Sequence, residues 1–91
     1  EFLPGMYFRE TNRNDKKGNP LVEFRGLVAT YRPYKYKGRK ITFITVGYDN
    51  SRYVDLLVWG HYPMGKWLVI EGEGTHQGDY IGCKKIKPVI I

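Results

Sequence analysis

The sequence predicts an all-β domain built as a five-stranded Greek-key barrel with an N-terminal extension. Three observations carry that expectation. Apolar residues alternate with a period near two, and no stretch of useful length repeats with the helical period of 3.6. The alternating runs are short and are separated by Gly, Pro and Asn, which form turns. Finally, 91 residues hold one small domain at most. Five strands in so short a chain are too few for a two-sheet sandwich, so the sheet must close, or nearly close, to cover its edges.

The elements follow in order. Residues 1–20 read as an extended arm or linker, in which Met6-Tyr7-Phe8 can add a short edge strand. Glu1-Phe2 matches what an in-frame GAATTC cloning site encodes, so residues 1–2 read as a cloning scar and the chain as a piece of something longer. Thr11 to Pro20 is polar and reads as a loop. The domain proper spans residues 21–91. Its first strand is Leu21 to Tyr31, with Val22, Phe24, Gly26 and Val28 on the inner face; Gly26 permits a sharp coil or a close backbone approach. Arg32 to Gly38 reads as a loop, and Lys40 to Val46 as the second strand, rich in β-branched and aromatic residues. Gly47 to Ser51 turns the chain. Tyr53 to Trp59 is the third strand, with Val54, Leu56 and Val58 on one face and Tyr53, Asp55, Leu57 and Trp59 on the other. Gly60 to Gly65 is a short connection. Lys66 to Glu73 is the fourth strand, with Leu68, Ile70 and Gly72 inward and Trp67 covering the barrel bottom. Gly74 to Gly78 turns, Asp79 to Lys87 is the fifth strand, and Pro88 to Ile91 closes the domain or continues it. An SH3-like barrel is the nearest rival at this size.

Composition limits the function. Fifteen Lys and Arg against nine Asp and Glu give a net charge of +6. Such an excess on a small domain suggests a polyanionic partner. The apolar runs are too short to span a bilayer, the start lacks a basic leader with an apolar core, and no membrane partner is expected. Cys83, the single cysteine, cannot form an internal disulfide and reads as a packed side chain, which fits an intracellular location, cytoplasm or nucleoid or nucleus. Catalysis is not expected. Glu71 and Glu73 form the only close acidic pair and read as an acidic edge offsetting nearby lysines. His61, His76 and Cys83 have no zinc spacing. Gly72-Glu73-Gly74 is not a phosphate loop, because no helix follows. No cofactor or metal is expected.

The strongest local signal is Arg32-Pro33-Tyr34-Lys35-Tyr36-Lys37-Gly38-Arg39-Lys40, nine residues of which five are cationic and two are tyrosines. Single-stranded nucleic acid asks for cations on its phosphates and flat rings on its bases, and this segment interleaves both. Arg39 stands out at the mouth of the second strand; Arg25 and Arg52 are further candidates. If Val54, Leu56 and Val58 are core, Tyr53 and Trp59 point outward, and an exposed Trp on a strand marks a contact surface. The alternative is that Trp59 packs on the arm, against Tyr7 or Phe8.

The string from Val22 to Ile86 resembles nucleic-acid-binding OB domains, the group that includes the replication protein A DNA-binding domains and the anticodon-binding type. VEFRGLVATYRP is similar to the family's first strand with its internal Gly26. GRKITFITVGYDNS is similar to the second, YVDLLVWG to the third, KWLVIEGEG to the fourth and GDYIGCKKIKPV to the fifth. The six residues Gly60 to Gly65 stand where many members carry a helix, so here that helix is expected to be missing or reduced to a turn. Gly47 adds a residue before Asp49, which implies a bulge and leaves the facing of Phe43 open. The resemblance places Trp59 at a base-stacking position of the third strand and Tyr80 at a second one on the fifth. Lys84 shares the side of Tyr80, while Lys85 and Lys87 share a face.

The expected nucleic-acid-binding residues are therefore Arg32, Tyr34, Lys35, Tyr36, Lys37, Arg39, Tyr53, Trp59, Tyr80 and Lys85. The expected function is a single-stranded DNA-binding module of low sequence specificity, serving replication, recombination or repair, with affinity raised by homo-oligomerisation or further modules. The alternatives are RNA binding, a protein-interaction or assembly module in which Tyr53 and Trp59 dock a partner chain, a module of a larger replication or repair enzyme, and duplex binding by an SH3-like barrel.

Overall fold

The computed structural model describes residues 5–60 and 68–89. These form six strands: β1 Tyr7–Asn14, β2 Pro20–Tyr36, β3 Arg39–Asp49, β4 Arg52–Trp59, β5 Val69–Gln77 and β6 Tyr80–Pro88. Their order in the sheet is β1-β2-β3-β4-β6-β5, and β5 pairs in turn with β2. Strands β2 to β6 thus form a ring of five, a small barrel-like arrangement, with β1 added outside it. All neighbours are antiparallel except β4 and β6, which run parallel through Leu56↔Ile81 and Leu57↔Gly82.

The length of β2 makes closure work. Its 17 residues pair with β5 from Leu21 to Leu27 and with β3 from Leu27 to Tyr36. One strand therefore serves two halves of the ring, and it must bend between them. Gly26 sits at that bend, where a methyl group would overlap the carbonyl oxygen of Gly47 and the Val46 side chain. The close backbone approach expected there is present. Two residues on, the register with β3 shifts between Val28 and Thr30, a bulge at Ala29 that increases the local twist.

Inside the ring, Val22, Phe24, Ile44, Val46, Leu56, Val58, Ile70 and Ile81 are buried in one cluster, with Val28, Tyr31, Val54 and Cys83 packed against it. These include the expected inward residues of the first and third strands. The cluster is one side chain deep across the ring, as the chain length requires.

Several boundaries differ from the expectation, each for a physical reason. The segment Arg32 to Gly38 is not a loop. β2 runs on to Tyr36, and only Lys37 and Gly38 turn, with φ of 50° and 78°. Positive φ at both central residues is the type I′ pattern, whose twist suits a two-residue hairpin. Pro33 is tolerated because β2 beyond Leu27 has left β5, so this stretch pairs on one edge only. The fourth strand begins at Val69 rather than Lys66. Leu68, expected inward, lies in the bend before it and is 75% exposed; its carbonyl accepts a hydrogen bond from the Val28 amide at 2.9 Å. Gly74, expected to open a turn, lies within β5. Its missing side chain admits the backbone of Gly82 and Cys83, so this glycine serves strand packing and the turn comes later, at Gly78 and Asp79.

The N-terminal segment is more ordered than a linker. β1 pairs with β2 through Tyr7↔Arg25, Phe8↔Phe24, Arg9↔Glu23 and Glu10↔Val22. Thr11 donates a hydrogen bond to the Leu21 carbonyl at 2.9 Å. The Asp15 carboxylate then accepts from the amides of Lys17 and Asn19 at 2.9 and 2.8 Å, closing the turn into β2. The polar stretch hid this strand because an edge strand exposed on its outer side shows little alternation.

Candidate functional site

The Ala29 bulge decides which side chains reach the outer surface. Before it, even-numbered residues of β2 point inward, as Val22, Phe24 and Val28 do. After it the phase reverses. Tyr31 packs against the core, and Arg32, Tyr34 and Tyr36 share the outer face. Register then sets their neighbours. Arg32 lies opposite Phe43, Tyr34 opposite Ile41 and Tyr36 opposite Arg39. One strand further, Phe43 lies opposite Leu57 and Ile41 opposite Trp59, and Leu57 lies beside Gly82 of β6. Three cross-strand rows of aromatic, aliphatic and cationic side chains thus cover one face of β2, β3 and β4.

The rings in these rows touch. Tyr34 meets Phe43 edge-on at 5.4 Å between centroids, and Phe43 meets Tyr80 at 5.2 Å. The Arg39 guanidinium carbon lies 4.3 Å from the Trp59 ring centroid, a cation–π contact that fixes both side chains. Ile41 points outward yet is only 5% exposed, because Tyr34 and Trp59 flank it. Trp59 remains 44% and Tyr36 55% exposed. A shallow cavity of about 360 Å³ opens here, lined by Tyr34, Lys35, Tyr36, Ile41, Phe43, Leu57, Trp59 and Gln77. Below it, the Thr42 hydroxyl is buried and donates to the Gly60 carbonyl at 2.6 Å, and the Gly60 amide donates to the Lys40 carbonyl at 2.9 Å. These bonds tie the end of β4 to the root of the hairpin.

Charge is divided between two regions. On β1, β2, β5 and β6 cations and carboxylates pair: Arg9 with Glu23, Arg13 with Glu73 at 2.8 Å, Arg25 with Glu71 at 3.5 Å, and Lys85 with Glu73 at 3.8 Å. A second cavity, of about 370 Å³, lies among these pairs; its charged walls already answer one another. On the hairpin, by contrast, Arg32, Lys35, Lys37, Arg39 and Lys40 make no ion pair among the described residues. Lys35 and Lys40 stand directly opposite each other.

Of the expected site residues, Arg32, Tyr34, Tyr36, Arg39, Trp59 and Tyr80 come together on one face. Lys37 caps the hairpin tip. Lys35 alternates to the reverse side of the hairpin but borders the cavity. Tyr53 shares the outer face of β4, but six residues separate it from Trp59, about 20 Å along a strand, and it lies opposite Gly47 instead. Lys85 lies opposite Glu73 in the paired-charge region, apart from the aromatic rows, because a register shift before Gly74 displaces it. Among the described residues, neither Tyr7 nor Phe8 makes a ring contact with Trp59; Phe8 meets Tyr48 instead, at 5.5 Å. Trp67, His61 and the Lys84 side chain lie outside the described residues. Phe43, Leu57 and Gln77 belong to the face although none is among the expected binding residues: Leu57 is expected to share the side of Trp59, the facing of Phe43 is left open, and nothing in the sequence points to Gln77. The expected bulge is present at Tyr48, between the pairs Gly47↔Tyr53 and Asp49↔Arg52, and it leaves Phe43 outward, in alternation with buried Thr42 and Ile44. Cys83 packs against the core, and burial pushes its thiol from 9.0 up to about 12.

No protein-family model, no curated protein and no solved structure matches the chain.

Proposed function

We propose that the protein is a single-stranded nucleic-acid-binding module of OB type, with DNA favoured over RNA and with low sequence specificity. One observation carries the proposal: exposed rings of Tyr34, Tyr36, Trp59 and Tyr80 share a face with Arg32 and Arg39, on a hairpin whose five cations make no ion pair among the described residues. Rings supply stacking for bases and the cations neutralise phosphates, the two terms that dominate single-strand binding. The ring order β2-β3-β4-β6-β5, with a first strand shared by two neighbours and a parallel pairing of the third and fifth, supports the OB reading. OB barrels bind on the face of their second and third strands, and the reading is supported by aromatic rows that lie on β3 and β4, the second and third strands of the ring. The module acts by binding alone, in a setting such as replication, recombination or repair.

The test is a titration of the purified chain with oligo-dT, the matching RNA oligomer and a duplex, by fluorescence anisotropy of a labelled oligomer at low and high salt. Tighter binding of the single-stranded DNA, weakened by salt, is the expected result. Binding of the RNA alone would turn the proposal toward RNA. A protein that ignores all three instead has a docking face for another chain, built on the aliphatic floor of Ile41 and Leu57.

A further inference from the structure

Gln77 is the last residue of β5 and lies opposite Tyr80. The residue is exposed, yet its carboxamide is held close to the sheet. It lies over Gly82, where a methyl group would stand 2.6 Å from the amide carbon and nitrogen and 2.9 Å from the amide oxygen. Gly82 is the β6 neighbour of Leu57, so the amide rests at the border of the aromatic cavity that it helps to line. No hydrogen bond occupies the Gln77 amide among the described residues. A glycine thus makes a seat for a carboxamide, and the donor and acceptor of that carboxamide stay open beside the rings.

We infer that Gln77 reads the edge of one base stacked in this cavity, and that the base it favours is adenine. The inference rests on the nucleic-acid reading above and adds one position of sequence preference to it. A carboxamide offers an acceptor and a donor side by side. Adenine answers with a donor beside an acceptor on two edges remote from the sugar, N6 with N7 and N6 with N1. Thymine, cytosine and guanine each offer a matching pair on one such edge. Gln with adenine is a recurrent bidentate pair in base recognition, and the larger purine ring covers more of the Phe43 and Trp59 surface.

The experiment compares an all-thymine oligomer with the same oligomer carrying one central adenine, by anisotropy at one fixed salt concentration. The expected ratio of dissociation constants is about fivefold in favour of adenine, the low end for a bidentate pair at an open site. In Gln77→Leu the ratio falls to about one. In Gly82→Ala, which displaces only a flexible side chain from its seat, it falls as well. Equal affinities in the unaltered protein, or a preference that survives Gln77→Leu, would overturn the inference while leaving single-strand binding in place. Failure of both oligomers to bind would overturn the underlying reading together with it.

Discussion

Trp59 does two jobs with one ring: it flanks Ile41, and it presents a half-exposed face braced by Arg39 at 4.3 Å. A ring held in place costs little further entropy when a base stacks on it. Trp59→Ala should therefore weaken oligo-dT binding by about 1–3 kcal/mol, and Trp59→Phe should recover part of that loss, both read by anisotropy of a labelled oligomer. Cys83 makes the opposite case, a group that the fold withdraws from chemistry. Its thiol, raised to about 12, stays protonated near neutrality, so a thiol reagent at pH 8 should label the native protein slowly and the denatured chain quickly. The sign of the pH effect follows from the raised value. Burial of the neutral thiol costs nothing below pH 9, and stability falls between pH 9 and about 12, where only the unfolded chain ionises. At this scale the sequence was legible where alternation ran undisturbed: β4 carries no bulge within Val54 to Trp59, so Trp59 could be placed outward from its own neighbours. Tyr34, Tyr36 and Lys85 could not be placed that way. The bulge at Ala29 and the register shift in β6 reset the count without any mark in the residue types.

The β2–β3 hairpin combines features that oppose its own stability. Lys35 faces Lys40 across the ladder, and like charges directly opposite each other are destabilising. Lys37 holds a φ of 50°, which suits Gly or Asn better than a long side chain. Neither choice favours an isolated hairpin, and both favour a hairpin that meets a polyanion. Lys40→Glu separates these roles. It should raise stability by roughly 0.2–1 kcal/mol by creating a cross-strand pair with Lys35, and it should lower the affinity for oligo-dT. A thermal melt and a titration on the same variant check the two signs; a change of both in one direction would remove the conflict argued here. The strands themselves could be read from composition, but the ends of this hairpin could not. Pro33 and the dense charge suggested a loop, because nothing in the sequence shows that β2 has lost its second neighbour by that point. Gly74 misled in the same way, since a glycine that admits a neighbouring backbone and a glycine that turns the chain are the same letter.

Across the whole molecule, the net charge of +6 is not spread evenly, and its placement separates the binding reading from mere basicity. Carboxylates of Glu10, Glu23, Glu71 and Glu73 meet cations or a histidine of β1, β2, β5 and β6, while the five hairpin cations meet none among the described residues. The closed ring makes this division. It sets β5 against the first half of β2 and leaves the second half to extend with β3, so Glu10, Glu23, Glu71 and Glu73 gather beside the first half of β2, while the hairpin extends beyond it. The sequence showed the excess charge but not this division, which depends on which strands become neighbours. If three to five hairpin cations neutralise phosphates, the logarithm of the binding constant should fall against the logarithm of salt concentration with a slope of about −2 to −3.5. Each cation removed should take about 0.7 from that slope. Lys37→Gln should do so. Lys85→Gln, which touches only the Glu73 pair at 3.8 Å, should leave the slope where it was. Equal loss from the two variants would mean that nucleic acid responds to total charge and not to the hairpin, and the face formed by Tyr34, Arg39 and Trp59 would then have to be explained by a different partner.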